Sequence, residues 1–217
     1  MAPTLKDFSD EFGREADEIE GCFHQCASIP KVTSHRIPYV PATDGCATAL
    51  WDAWGRFNRR ALLASAAGAI AGSSGAIYTP SVIRTENQAI AKLRQDSQLP
   101  SSKIRLTGGE PGWMATEMLL DICQSLDLQS AHPIHGAITS YSISLPYGRS
   151  TGNPISEIRN IRNFCAHKSD KTYAKIRPHL RGTSDADAHM KQKVAGGIVR
   201  FSHWVDCLKL IAQAGTL

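Results

Sequence analysis

Apolar residues recur along this 217-residue chain mostly at spacings of three and four rather than two, the signature of amphipathic helices packed on one another. The first such stretch runs from Leu5 to Ile29, where Phe8, Phe12, Ile19 and Phe23 form one stripe and acidic side chains cover the remaining surface. Pro30, Pro38 and Pro41 then interrupt the pattern and predict an extended connector, because proline lacks the amide hydrogen that a helix interior needs. A second helix is expected from about Cys46 to Ala67, capped by Asp44 and carrying Leu50, Trp51, Trp54, Phe57 and Leu62, with the Gly68 to Gly75 stretch ending it.

Further along, Asn87 to Arg94 predicts a short helix before Pro100, and Thr107 to Gly112 a loop. Trp113 to Leu128 then reads as an amphipathic helix through Met114, Met118, Leu119, Ile122 and Leu126. Pro133 marks a helix start within the stretch His132 to Gly148, and Pro154 opens another helix, since proline is tolerated at a first helical position. Asp187 to Ala214 reads as one last helix, with Val194, Ile198, Phe201, Val205, Leu208 and Ile211 inward. The fold class is therefore all-α: a helical bundle with long loops, read as a single domain over residues 1–217.

Composition narrows the function little. With 42% hydrophobic and 20% charged residues the chain is neither disordered nor fibrous, and its net charge of +4 suits a polyanionic partner without reaching the excess of a dedicated duplex binder. The N-terminal residues lack a basic region followed by an apolar one, so no secretory signal is expected and the cytoplasm is the expected compartment. The run from Ala61 to Tyr78 is dominated by Ala, Gly and Ser and follows Arg59-Arg60, too weakly apolar for a membrane span, so no membrane partner is expected. Cys22, Cys26, Cys46, Cys123, Cys165 and Cys207 show no paired CxxC spacing and are read as free, mostly buried thiols. Cys22, His24 and Cys26 lack a second ligand pair, no other histidine has ligand spacing, and neither a metal nor a cofactor is expected.

The segment with most chemistry is Glu157-Ile158-Arg159-Asn160-Ile161-Arg162-Asn163-Phe164-Cys165-Ala166-His167-Lys168. On a helical wheel Ile155, Ile158, Ile161 and Cys165 form a core face, while Asn160, Asn163 and His167 share another flank. Arg162 lies close enough to the apolar sector for its guanidinium to be partly covered. Arg162 and His167 are five residues apart, about 140° around an ideal helix. A guanidinium for phosphate charge and an imidazole for proton transfer are what phosphodiester chemistry requires.

The run Arg162-Asn163-Phe164-Cys165-Ala166-His167 resembles the motif of the HEPN domains, small helical-bundle proteins of prokaryotic toxin, abortive-infection and antiviral systems. The resemblance covers roughly Trp113 to the end, a motif-bearing core of about residues 113–217, with the helices of residues 1–80 packed on it or extending it. It implies a metal-independent endoribonuclease that cleaves RNA through a 2′,3′-cyclic phosphate. It further implies a homodimer with a composite active site, restrained by an antitoxin or a defence-system partner protein. The catalytic residues would be Arg162, His167 and Asn163, and Arg159, Lys168 and Asn160 would bind the RNA. The competing expectation is a non-catalytic nucleotide-binding or protein-interaction module in which the same residues cement helices. Two weaker candidates are an aromatic-basic platform of Trp51, Trp54, Arg56, Arg59 and Arg60, and a carboxylate from Glu15, Glu18 or Glu20; for these a core helix and a solvated acidic face are the preferred readings.

Overall fold

A computed structural model describes residues 4–26, 28–34, 37–68, 70–72, 74–128, 132–140, 154–180, 183 and 185–216. Nine α-helices dominate the described residues, and the strands form only three two-stranded antiparallel hairpins, so the all-α class holds. The first helix, α1, spans Leu5–Cys26, ending just short of Ile29, which is exposed. The connector after it is a short hairpin, β1 (Val32–Ser34) with β2 (Ile37–Tyr39), and Pro38 is accommodated because each strand has only one neighbour.

Helix α2 spans Pro41–Ala67, five residues earlier than expected: Pro41 occupies the first turn, and Asp44 lies inside the helix, buried, rather than capping it. The glycine-rich stretch after α2 holds a second hairpin, β3 (Ile70–Ala71) with β4 (Ile77–Tyr78). Helix α3 (Glu86–Asp96) opens with a capping box between Thr85 and Gln88. The expected Thr107–Gly112 loop is a tight hairpin, β5 (Leu106–Thr107) with β6 (Glu110–Pro111), turned by Gly108 and Gly109 at φ of 61° and 84°, a conformation that costs glycine little.

Helix α4 (Thr116–Ser125) is shorter than the Trp113–Leu128 pattern. Helix α5 (Pro133–Ser140) starts at the expected proline; the remainder of that stretch, to Gly148, lies outside the described residues. Helix α6 (Pro154–His167) carries the motif, and α7 (Asp170–Ile176) follows it almost directly. The single helix expected over Asp187–Ala214 is instead α8 (Ala186–Lys191), a 3-10 turn at Ala195–Gly197, and α9 (Arg200–Ala214). Gly196 and Gly197, at φ of 84° and 79°, break it, and Lys193 pairs with Val199 across the break.

The chain divides into two compact units. One comprises Met1–Gly13, Trp54–Ser144 and Lys209–Leu217; the other comprises Arg14–Ala53 and Leu145–Leu208. The segment 113–217 is thus shared between them, and α1, α2 and α9 each contribute residues to both.

In the first unit Phe12, Trp54 and Phe57 form an aromatic cluster with ring centroids 5.4 to 5.8 Å apart, and the Trp54 indole donates to the Met114 carbonyl at 3.1 Å. Arg59 forks between Glu110, at 2.6 and 2.9 Å, and Glu86, at 2.7 Å. In the second unit the rings of Phe23 and Phe201 stack at 4.1 Å, and Ile158, Ile161, Phe164, Trp204 and Val205 are fully buried.

The first unit also buries His132. The Ile134 amide donates to its Nδ1 at 3.3 Å, so Nε2 carries the proton toward Ser65 Oγ at 2.9 Å, and Ser65 donates onward to the Ala61 carbonyl. Burial, with His135 nearby, pushes the His132 imidazole down to about 4. The unfolded chain therefore takes up this proton first as pH falls, and stability is lost progressively from about pH 6.5 to 4, by at most about 3 kcal/mol. Urea midpoints between pH 7 and 4.5 should fall steeply for the wild type and less steeply for His132→Leu, which removes the titration. Equal slopes would show that His132 is not held neutral.

Candidate active site

Helix α6 presents Ile155, Ile158, Ile161, Phe164 and Cys165 to the core of its unit, so the polar residues between them are fixed in direction by burial of their neighbours. One polar residue goes inward. Glu157 accepts hydrogen bonds from His189 Nε2 at 2.8 Å, Arg200 Nη1 at 3.2 Å and Trp204 Nε1 at 3.1 Å, tying α6 to α8 and α9. Burial opposes its ionisation, but the bond from His189 and the charge of Arg200 outweigh that and hold the Glu157 carboxyl below the usual carboxylate range.

A second polar layer surrounds the C-terminal end of α6. Lys168, in a left-handed conformation at φ 43°, ends the helix, donates to the Cys165 carbonyl at 2.8 Å and pairs with the buried Asp44 of α2. Cys165 Sγ lies 3.2 Å from the other Asp44 oxygen. Burial raises the Asp44 carboxyl despite the ammonium beside it, and burial together with Asp44 pushes the Cys165 thiol well up, which removes it as a nucleophile. Asp44, Thr48 and Asp52, on successive turns of α2, line with Cys165 and Lys168 an open groove of about 490 Å³.

At the Asp52 side stands Arg162. Its side chain is 27% exposed, as its place on the wheel predicted, with Nη1 3.4 Å from Asn163 Oδ1 and Nη2 4.0 Å from Asp52 Oδ1. Its Nε is buried without a hydrogen-bond partner among the described residues. A guanidinium so covered and so loosely paired retains donors for an incoming anion. His167, the last residue of α6, is exposed, and its side chain makes no hydrogen bond or ion pair among the described residues. Helix geometry separates it from Arg162 by about 140° and about 7.5 Å along the axis, so the two leave the helix in different directions.

Asn160 is paired with His179, 3.3 Å away after α7, and Arg159 is half-buried. Lys168 is engaged by Asp44, so its ammonium reaches an RNA phosphate only by leaving a buried carboxylate. Elsewhere, Trp51 and Trp54 are buried, while Glu18 is exposed and Glu15 and Glu20 half-buried. His24 Nε2 is spent on Ser202 at 3.1 Å and Glu20 at 3.4 Å. Cys46, Cys123, Cys165 and Cys207 are buried free thiols and Cys22 is exposed. Among the described residues no three His, Cys, Asp or Glu side chains gather into a metal site, and no helix is long and apolar enough to cross a membrane.

Asp44, Asp52, Glu157, His179 and His189 were not singled out as site residues by their sequence context. Only the four-residue spacing of Asp44, Thr48 and Asp52 in the first half of α2 signals a polar stripe in advance. No protein-family model, no curated protein and no solved structure matches this chain.

Removing the Glu157 carboxylate strands three buried donors. Glu157→Leu should lower stability by about 3–5 kcal/mol, whereas His167→Ala at an exposed helix end should change it by less than about 0.5 kcal/mol. Urea unfolding followed by circular dichroism measures both, and a wild-type midpoint for Glu157→Leu would show that the carboxylate does not hold the helices.

Proposed function

We propose that this protein is a metal-independent endoribonuclease that acts as a homodimer. One observation carries the reading: on one helix lie a partly desolvated arginine whose Nε has no hydrogen-bond partner among the described residues and an exposed imidazole with no side-chain partner among them. Those groups supply the two requirements of RNA cleavage, charge stabilisation on the phosphate and proton transfer at its ester oxygens.

In the reaction the ribose 2′-oxygen attacks the adjacent phosphorus as His167 takes its proton. The bond to the 5′-oxygen breaks as that oxygen takes a proton from the His167 imidazolium, which returns to neutral imidazole, and the products are a 2′,3′-cyclic phosphate and a 5′-hydroxyl. Arg162 stabilises the charge on the non-bridging oxygens, with Asn163 and Asp52 beside its guanidinium at 3.4 and 4.0 Å. Arg162 and His167 leave the helix about 140° apart, and in the dimer a second copy brings an imidazole to each guanidinium, making the site composite. Such an activity fits a cytoplasmic growth-arresting toxin or antiviral-defence effector, restrained by a partner protein.

The same divergence favours a second reading, a non-catalytic interaction module in which Arg162 and Asn163 only brace helices. Cleavage of mixed cellular RNA in chelator separates the two. Wild type should cut and leave cyclic phosphate ends, His167→Ala should lose roughly 10²–10⁴-fold in rate and Arg162→Ala roughly 10²–10³-fold, with helical content unchanged. Absence of cutting by folded, dimeric wild type would transfer the assignment to the interaction module, and full activity in a strict monomer would refute the composite site.

A further inference from the structure

The positive charge of this chain is concentrated in one short segment. Residues 159–180 hold six Lys and Arg against one Asp, a net +5, while the whole chain carries +4, so the other 195 residues together are slightly acidic. Within that segment Lys168 is committed to Asp44, Arg162 stands beside Asn163 and Asp52, and Arg159 is half-buried and engaged. Lys171, Lys175 and Arg177 differ: all three are exposed, and none makes a hydrogen bond or ion pair through its side chain among the described residues.

These three share one surface. At 100° per residue Lys171, Ala174, Lys175 and Arg177 fall within an arc of about 160°, all exposed, while Ile176 on the other side is buried and Tyr173 packs on Phe164 of α6 at 5.9 Å. The only carboxylate on the arc, Asp170, sits in the first turn of α7, where it complements the helix dipole. The arc is also fixed in direction. Only Lys168 and Ser169 separate His167 from α7, and Ser169 caps α7 in a reciprocal pair with Thr172. Four residues of chain span at most about 14 Å, so Lys171 stands within that reach of His167.

We infer that Lys171, Lys175 and Arg177 form the track on which the phosphate backbone of single-stranded RNA lies as it runs from His167 along α7. The inference rests on the ribonuclease reading of the α6 site. A single strand fits because α7 is only about 10 Å long and offers three cations, far less than a duplex footprint requires. Attack by a 2′-oxygen in line with the departing ester also needs a backbone free to rotate. Recognition here is by charge alone, without sequence preference.

The test uses the full-length chain carrying His167→Ala, so that the probe is not cut, and a labelled single-stranded RNA oligonucleotide of mixed sequence, with anisotropy measured across salt concentrations. Lys171→Gln/Lys175→Gln/Arg177→Gln should weaken binding by roughly 10–100-fold near physiological salt. It should also flatten the plot of log K against log salt by about 2, since each phosphate that a cation neutralises adds about 0.7 to the slope. Returning Arg at positions 171 and 175 should restore most of the affinity. Removing the same charge at Arg14, Lys103 and Lys193 should leave the slope nearly unchanged; an equal reduction there would reduce the effect to net charge and overturn the track. Wild-type cleavage with an unaltered salt slope in the α7 variant would overturn the track and leave the ribonuclease standing. Wild type that neither cuts nor binds RNA would remove both.

Discussion

A carboxylate placed in a protein interior must be compensated, and Glu157 is the place where this chain meets that demand. Three donors from two other helices converge on its two oxygens, and each direction is specified to within a hydrogen bond. Burial of Ile155, Ile158, Ile161 and Phe164 sets which face of α6 turns inward. The buried carboxylate reinforces that setting, since rotation would strand an ion and three donors together. The rotational setting of α6, and hence the direction of Arg162, Asn163 and His167, rests on both.

The same device recurs through the unit. Asp187 accepts from Thr43 of α2 and Lys191, Asp185 caps α8 and pairs with Lys31, and Asp44 holds Lys168 at the end of the motif helix. Acidic residues thus face inward and are met by cations, while Lys171, Lys175 and Arg177 are left outside without partners among the described residues. The polar chemistry of this half divides accordingly: buried pairs specify geometry, and the uncompensated groups, Arg162 in part and His167 wholly, remain available to a ligand.

Much of the helical pattern was legible because it rests on local physics. Pro133 and Pro154 start their helices where a fixed φ and a missing amide hydrogen cost nothing, and Arg162 is partly covered because its angular position leaves no other outcome. The misreadings have local causes too. The apolar spacing of residues 187–214 outvoted Gly196-Gly197, whose left-handed backbone breaks the helix, and Asp44 looked like a cap until Pro41 took the first turn. Helix α7 is only seven residues long and amphipathic over less than two turns, too short for periodicity to register.

What the chain determined by itself is the all-α class, the buried face of α6, and the presence of a guanidinium and an imidazole five residues apart, because helix periodicity is a local property of side-chain spacing. What only the tertiary structure decided is which polar groups are spent. Lys168 and Asn160 are matched by Asp44 and His179, 124 and 19 residues away in sequence, and Glu157 by donors 32 to 47 residues away. Partner choice across such separations is set by how helices pack and how a buried charge is neutralised, and no spacing within one helix encodes it.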